Sequence, residues 1–133
     1  MSSAPITAFY AGLLALWFIF LSARVVFTRR SARVGIGTGE NKELARRVRV
    51  HGNFAEYVPL ALLLMLLLEA NTALVWLLHA AGAALVVSRV AHFLGLGRTA
   101  GTSWGRVIGT SLAWAALLVL AGANLGYGVM LLG

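Results

Sequence analysis

Three stretches of this chain are long and apolar enough to cross a bilayer, which takes about 20 residues, and a shorter fourth lies between the first two. The first runs from Ile6 to about Phe27 with Arg24 as its only charge. The third in chain order runs from Ala73 to about Phe93, interrupted near its end by Arg89 and His92, and the last from Trp104 or Arg106 to about Leu132. Between them, the charge-free part of the second covers only Tyr57 to Leu68, too short to cross hydrocarbon unaided. A chain patterned this way must satisfy its backbone polar groups within helices, because lipid offers them no partner.

Composition excludes the soluble alternative. Hydrophobic residues make up 60% and charged residues 11%, with a mean hydropathy of +0.87, against roughly 45–50% and about 25% in a soluble domain. The 133 residues form one domain, 1–133, and four spans leave no room for a separate catalytic unit. The absence of cysteine excludes disulfides, thiolate metal sites and a cysteine nucleophile. A cleaved signal peptide is the competing reading of the first run, but Met1 to Pro5 carry no basic side chain and the run exceeds a typical signal core. The expected architecture is all-α: an integral membrane four-helix bundle with spans at approximately 6–28, 44–69, 73–95 and 105–132.

The second span must recruit polar residues. Asn41 is a fair N-cap for it, with Glu43 favourably placed in the first turn, after a polar loop expected over Thr28 to Glu43. Pro59 inside the span removes one N–H and leaves the carbonyl of Ala55 without its usual partner, so a bend is expected. Glu69 to Thr72 reads as a brief turn, and Gly95 to Gly105 as a Gly-rich one.

The charges give orientation. All eleven Lys and Arg, against four acidic residues, belong to the first loop, the third loop or the adjoining span ends. The positive-inside rule then puts both termini outside and both basic loops in the cytoplasm. Placed there, the charge faces anionic lipid headgroups and leaves no soluble basic surface for nucleic acid.

Not every charge reads as a solvated loop residue. On a helix turning about 100° per residue, Arg46, Arg49, Asn53 and Glu56 share an arc of roughly 80°, while His51 points nearly opposite. Ionisable groups near membrane depth are costly, about 2.5–3.5 kcal/mol each on insertion scales, and face protein or a wet cavity. Arg49 and Glu56 are two turns apart, beyond a simple i,i+4 pair, so Glu56 is expected to take a partner from elsewhere. Arg89, brought with His92 to similar depth by the antiparallel third span, is the candidate. The cluster reads either as a charge network that fixes helix register or as a pocket lined by Arg29 or Arg30, Arg49, Asn53, Glu56, Arg89 and Arg106. Its excess of guanidinium groups suits a small ligand carrying carboxylates, with Asn53 and Glu56 able to bind amide or amino groups.

The string Arg49-Val50-His51-Gly52-Asn53-Phe54-Ala55-Glu56-Tyr57-Val58-Pro59-Leu60 resembles the start of the second helix in the MAPEG family, the membrane-associated proteins in eicosanoid and glutathione metabolism. Thr28-Arg29-Arg30-Ser31-Ala32-Arg33-Val34 is similar to the family's basic end of helix one, Arg89-Val90-Ala91-His92 to its helix-three element, and Arg106 opens helix four. The resemblance covers nearly the whole chain. It implies a left-handed bundle assembled as a homotrimer in a bacterial inner membrane, with glutathione as co-substrate held between neighbouring subunits and a lipophilic second substrate. By that likeness Arg49, Asn53, Glu56 and Tyr57 grip glutathione with Arg89 and His92 beside them, and Arg29 or Arg30 binds one of its carboxylates. Arg106 corresponds to the arginine that stabilises the thiolate, in keeping with the lowering of a thiol pKa by a nearby cation. One departure stands out: Leu96 occupies the position where the eicosanoid enzymes carry a ligand-touching tyrosine. The implied activity is glutathione transfer to a lipophilic electrophile, or peroxide reduction by the same thiolate. A non-catalytic membrane scaffold of the same fold and a small multidrug-type transporter using Glu56 are the rival readings.

The remaining polar residues read as packing. His51, His79 and His92 lack a complete metal ligand set and are expected to make helix contacts, as is Asn124. Trp76 and Trp104 read as interface anchors. Gly105 with Gly109 and Gly122 with Gly126 form two small-xxx-small pairs, suited equally to packing within the chain or between copies.

Overall fold

The computed structural model describes residues 3–71, 74–98 and 103–133, with the side chains of Gly97 and Arg98 left aside. Among the described residues it contains four helices: α1 (Pro5–Ala32), α2 (Lys42–Asn71), α3 (Val75–Arg98) and α4 (Trp104–Leu132). All four are long and apolar enough to cross a membrane, which makes this an all-helical membrane bundle. Thr72 and Ala73, and residues 99–102 of the Gly-rich turn, lie outside the described residues.

Three expected loops shrink because helix continues into them. The first connection begins at Arg33 rather than Thr28 and ends at Asn41. Thr28 stays helical, its hydroxyl donating to the Arg24 carbonyl at 2.7 Å and accepting from Arg47 of α2. Arg33 then stops α1 in the left-handed region (φ 54°, ψ 37°), while the N–H of Val34 returns to the Arg29 carbonyl at 3.1 Å, as a C-terminal cap requires. Asn41 caps α2 as expected, its Oδ1 accepting the N–H of Leu44 at 2.9 Å. α2 runs unbroken through Pro59 to Asn71, so Glu69 sits in its last turn and not in a loop. Gly95 likewise belongs to α3.

α2 and α3 form the centre, with α1 on one flank and α4 on the other; α1 and α4 do not touch. The core is correspondingly built from Val58, Ala61, Met65 and Leu68 of α2, Leu78 and Leu85 of α3, Leu14 and Leu21 of α1, and Ala113 and Leu120 of α4. Polar contacts fix the register. Tyr10 Oη lies 3.2 Å from both Nδ1 and the carbonyl oxygen of His79. The Ser22 hydroxyl meets His51 Nε2 at 2.9 Å while His51 stacks on Phe18. Asn124 Nδ2 donates across to the Leu64 carbonyl at 3.0 Å. His51, His79 and Asn124 thus make the helix contacts the sequence suggested. Trp76 and Trp104 are largely exposed near helix ends, as interface anchors should be.

The two glycine pairs separate cleanly. Gly105 and Gly109 lie against α3, where a Cβ on either would meet backbone of Ala91, Gly95, Ser88 or His92 within 3 Å, so this pair packs within the chain. Gly122 and Gly126 face open space.

One contact joins the far ends of α1 and α2. α1 has no acidic residue in its first turn and no side-chain N-cap. Glu69 supplies the acceptor from α2: its two carboxylate oxygens take the N–H groups of Ile6 at 2.9 Å and Thr7 at 2.7 Å. An anion at a helix N-terminus satisfies orphan donors and complements the helix dipole. Glu69→Ala is expected to lower stability by about 1–3 kcal/mol, measured by thermal unfolding in detergent, with Glu69→Gln intermediate.

Candidate functional site

Arg49 and Asn53 of the polar stripe of α2 face a cavity. Arg49, Asn53 and Tyr57 line it from α2, His92 from α3, and Arg106, Val107, Thr110, Ser111 and Trp114 from α4; its volume is about 360 Å³. That falls in the range of small-molecule sites, about 300–1,000 Å³. Two guanidiniums and no carboxylate line it, so the wall favours an anion, and Arg offers carboxylates a two-pronged donor. Tyr57, Thr110 and Ser111 add hydroxyls.

Arg106 is positioned by the start of α4. Ser103 caps that helix, accepting the N–H of Arg106 at 3.4 Å through Oγ while its hydroxyl donates to the Gly95 carbonyl at 2.9 Å. Gly95 and Gly105 allow the two backbones to meet there. Arg106, Thr110 and Trp114 then follow at four-residue spacing down one face.

Asn53 is held from behind. Arg89 is almost fully buried, with 3% of its surface exposed. It donates through Nη1 to Asn53 Oδ1 at 2.7 Å and to the Asn53 carbonyl at 3.3 Å, through Nη2 to the Gly109 carbonyl at 3.3 Å, and through Nε to Ser88 Oγ at 3.0 Å. It also lies 5.7 Å from the Tyr57 ring centre. Arg89 therefore ties α2, α3 and α4 together behind the cavity and does not line it.

The expected Arg89–Glu56 pairing is not formed. Glu56 pairs with Arg49 of its own helix, Oε1 to Nη1 at 2.9 Å and Oε2 to Nη2 at 3.4 Å. Residues seven apart differ by only about 20° around a helix and by roughly 10 Å along it, which a long arginine and a glutamate bridge together. The pair is half exposed on the outer face of α2.

Arg29 and Arg30 lie elsewhere. They line a separate shallow hollow of about 340 Å³ with Val26, Arg33, Val34 and Gly35, and Arg29 Nη1 donates to the Gly37 carbonyl at 2.6 Å. Since α1 does not reach α4, one chain does not bring them to the cavity. Leu96 points away as well, into the core beside Val50 and Phe93. Of the residues singled out in sequence, the cavity thus gathers Arg49, Asn53, Tyr57, His92 and Arg106, with Glu56 beside it on Arg49.

Sequence reasoning missed Thr110, Ser111 and Trp114; the four-residue spacing from Arg106 was the available signal. It also missed the apolar neighbour of this cavity. Tyr57 and Trp114 form part of a second groove of about 420 Å³, lined further by Leu60, Leu64, Leu117, Leu118 and Ala121 between α2 and α4. A polar chamber and a lipid-like groove therefore share two aromatic side chains as their common wall.

Comparison with known proteins gives the family and two relatives. Residues 7–126 match the MAPEG family. The chain is 40% identical over 122 residues to the inner membrane protein YecN of Escherichia coli strain K12, an alignment covering 92% of each chain. The same identity and coverage hold for the inner membrane protein YecN of Escherichia coli O6:H1 strain CFT073.

Proposed function

The chain belongs to the MAPEG family, and from that premise we propose that it is a membrane-embedded glutathione-binding protein that transfers glutathione to lipophilic electrophiles. The observation that carries this reading is the pairing of chambers at Tyr57 and Trp114: a cationic one sized for a small polar anion and an apolar one between α2 and α4. Glutathione carries carboxylates for Arg49 and, from a neighbouring copy, Arg29 or Arg30, and amides for Asn53. Arg106 favours the thiolate, and the electrophile reaches it laterally from the bilayer along the groove. Rate enhancement comes from proximity and from charge stabilisation of the sulfur, with no covalent enzyme intermediate. Peroxide reduction by the same thiolate is the close variant.

In this reading the protein works as a homotrimer in an inner membrane, with both termini outside and the basic loops in the cytoplasm. Three features support assembly. The Arg49–Glu56 pair is exposed on the outside of a single bundle, where lipid would disfavour it. Gly122 and Gly126 are uncovered. Arg29 and Arg30 line a hollow apart from the cavity of their own chain, so in this reading they meet the tripeptide from a neighbouring copy. The pairing of Glu56 with Arg49 also weighs against a proton-exchanging transporter, whose carboxylate must be free to take a proton.

Calorimetric titration of detergent-purified protein with glutathione is expected to show saturable binding, and Arg49→Ala to weaken it by about 10- to 100-fold, the worth of a charge-assisted hydrogen bond. Conjugation of a chlorinated nitrobenzene tests the transfer step. A purified protein that binds no glutathione and conjugates nothing would remove the proposal.

A further inference from the structure

A second cationic pocket lies between α1, α2 and α3, apart from the cavity that α4 lines. Arg24 of α1, Glu43, Arg46, Arg47 and Val50 of α2, and Phe93 and Leu96 of α3 enclose about 60 Å³. That is room for about two waters, far too little for a tripeptide but suited to a single oxyanion. Three guanidiniums face one carboxylate there, and that carboxylate is already engaged by Arg47.

The donors are under-used. Arg24 rests its guanidinium on aromatic faces, 4.8 Å from the Phe93 ring centre and 5.8 Å from that of Phe20, and among the described residues it donates no hydrogen bond. Arg46 has no hydrogen-bond or ion-pair partner among the described residues either. Arg47 is fixed by Glu43, Thr28 and the Arg24 carbonyl, yet its Nε is buried without a partner. Cations gathered at short range in a weakly screening environment repel one another, and an anion reverses the sign of that interaction.

We propose that Arg24, Arg46 and Arg47 form a binding site for a phosphate-bearing anion, separate from the cavity between α2, α3 and α4. Depth favours the headgroup of an anionic phospholipid as the source. Arg24 lies nineteen residues into α1 from Pro5, roughly 29 Å along the helix axis, which matches the hydrocarbon thickness of about 30 Å. The pocket therefore opens where phosphates of one leaflet reside, and the exposed Phe20 and Phe27 of α1 offer adjacent apolar surface to acyl chains. Free inorganic phosphate presents the same oxygens without the chains.

Delipidated full-length protein in detergent, titrated separately with short-chain phosphatidylglycerol, short-chain phosphatidylcholine and inorganic phosphate, tests this site by two readouts. One is the shift in thermal midpoint. The other is protection of Arg24 and Arg46 in the unaltered protein from phenylglyoxal, read by mass spectrometry. Phosphatidylglycerol should raise the midpoint and protect both arginines. Arg24→Gln and Arg46→Gln should each weaken its binding by about fivefold, as expected for one basic residue against an anionic headgroup. Protection by inorganic phosphate at equal concentration would keep the site and identify the free anion as its ligand. Equal protection by phosphatidylcholine, or none by any of the three, would overturn the proposal. Because the protection arm uses the unaltered protein and no glutathione, it is independent of both variant folding and the transfer reaction.

Discussion

Alanine at Gly109 is expected to destabilise the bundle by about 1–3 kcal/mol, the usual scale of overpacking, although alanine is the better helix former by about 1 kcal/mol. The reason is geometric. A Cβ at Gly109 would stand 2.7 Å from the Ser88 carbonyl oxygen and 2.8 Å from the backbone nitrogen of His92. Backbone cannot rotate aside as a side chain can, so α4 must move off α3. That movement would stretch the Arg89 bond to the Gly109 carbonyl and carry Arg106, Thr110 and Trp114 away from Asn53 and Tyr57. Gly95→Ala and Gly105→Ala should behave alike, since their added carbons would also meet backbone at 2.5 and 2.8 Å. Gly122→Ala is the control with opposite sign for an isolated chain: nothing lies within 4 Å of its Cβ, so a gain of about 0.5–1 kcal/mol is expected. Thermal or detergent-titrated unfolding of the variants measures both. A loss at Gly122 in the assembled protein but not in the dissociated one would report a neighbour packed there.

The second large effect concerns Arg106. If it stabilises the sulfur anion as proposed, Arg106→Ala should lower kcat for conjugation by about 10²- to 10³-fold, as loss of one well-placed electrostatic donor does. KM for glutathione should change much less, because binding retains Arg49 and Asn53. Arg106→Lys should recover part of the rate, having the charge without the fork. Steady-state kinetics on refolding-competent variants decide it: equal losses in KM and none in kcat would assign Arg106 to binding alone.

The bundle itself was legible in the sequence because a bilayer leaves little choice. Apolar length set the spans, Asn41 marked the start of α2, and the 100° rotation of an α-helix put Arg49 and Asn53 on one face before any neighbour was known. What the sequence concealed were contacts that depend on which helices meet, or on how far a side chain reaches. The length of the arginine and glutamate side chains let Arg49 and Glu56 pair across two turns, so Arg89 was released to bind Asn53, Ser88 and Gly109 instead. Glu69 looked like a turn residue because its partners, the first N–H groups of α1, lie more than sixty positions away in the chain. Half of the cavity wall came from α4, whose hydroxyls carry no mark beyond the spacing of Thr110 from Arg106 until α2 is set beside them.

The arrangement of two flanks on a central pair has a consequence for how damage spreads. Because α1 and α4 share no contact, a lesion in the seam of α1 and a lesion in the seam of α4 meet only through α2 and α3, and lesions at opposite ends of those helices, such as Glu69 in the last turn of α2 and Gly109 near the start of α4, touch different residues. Free-energy losses from a pair such as Glu69→Ala and Gly109→Ala should simply add, within about 0.5 kcal/mol. Pairs placed on α2 and α3 should depart from that sum, since every other segment of the protein leans on those two.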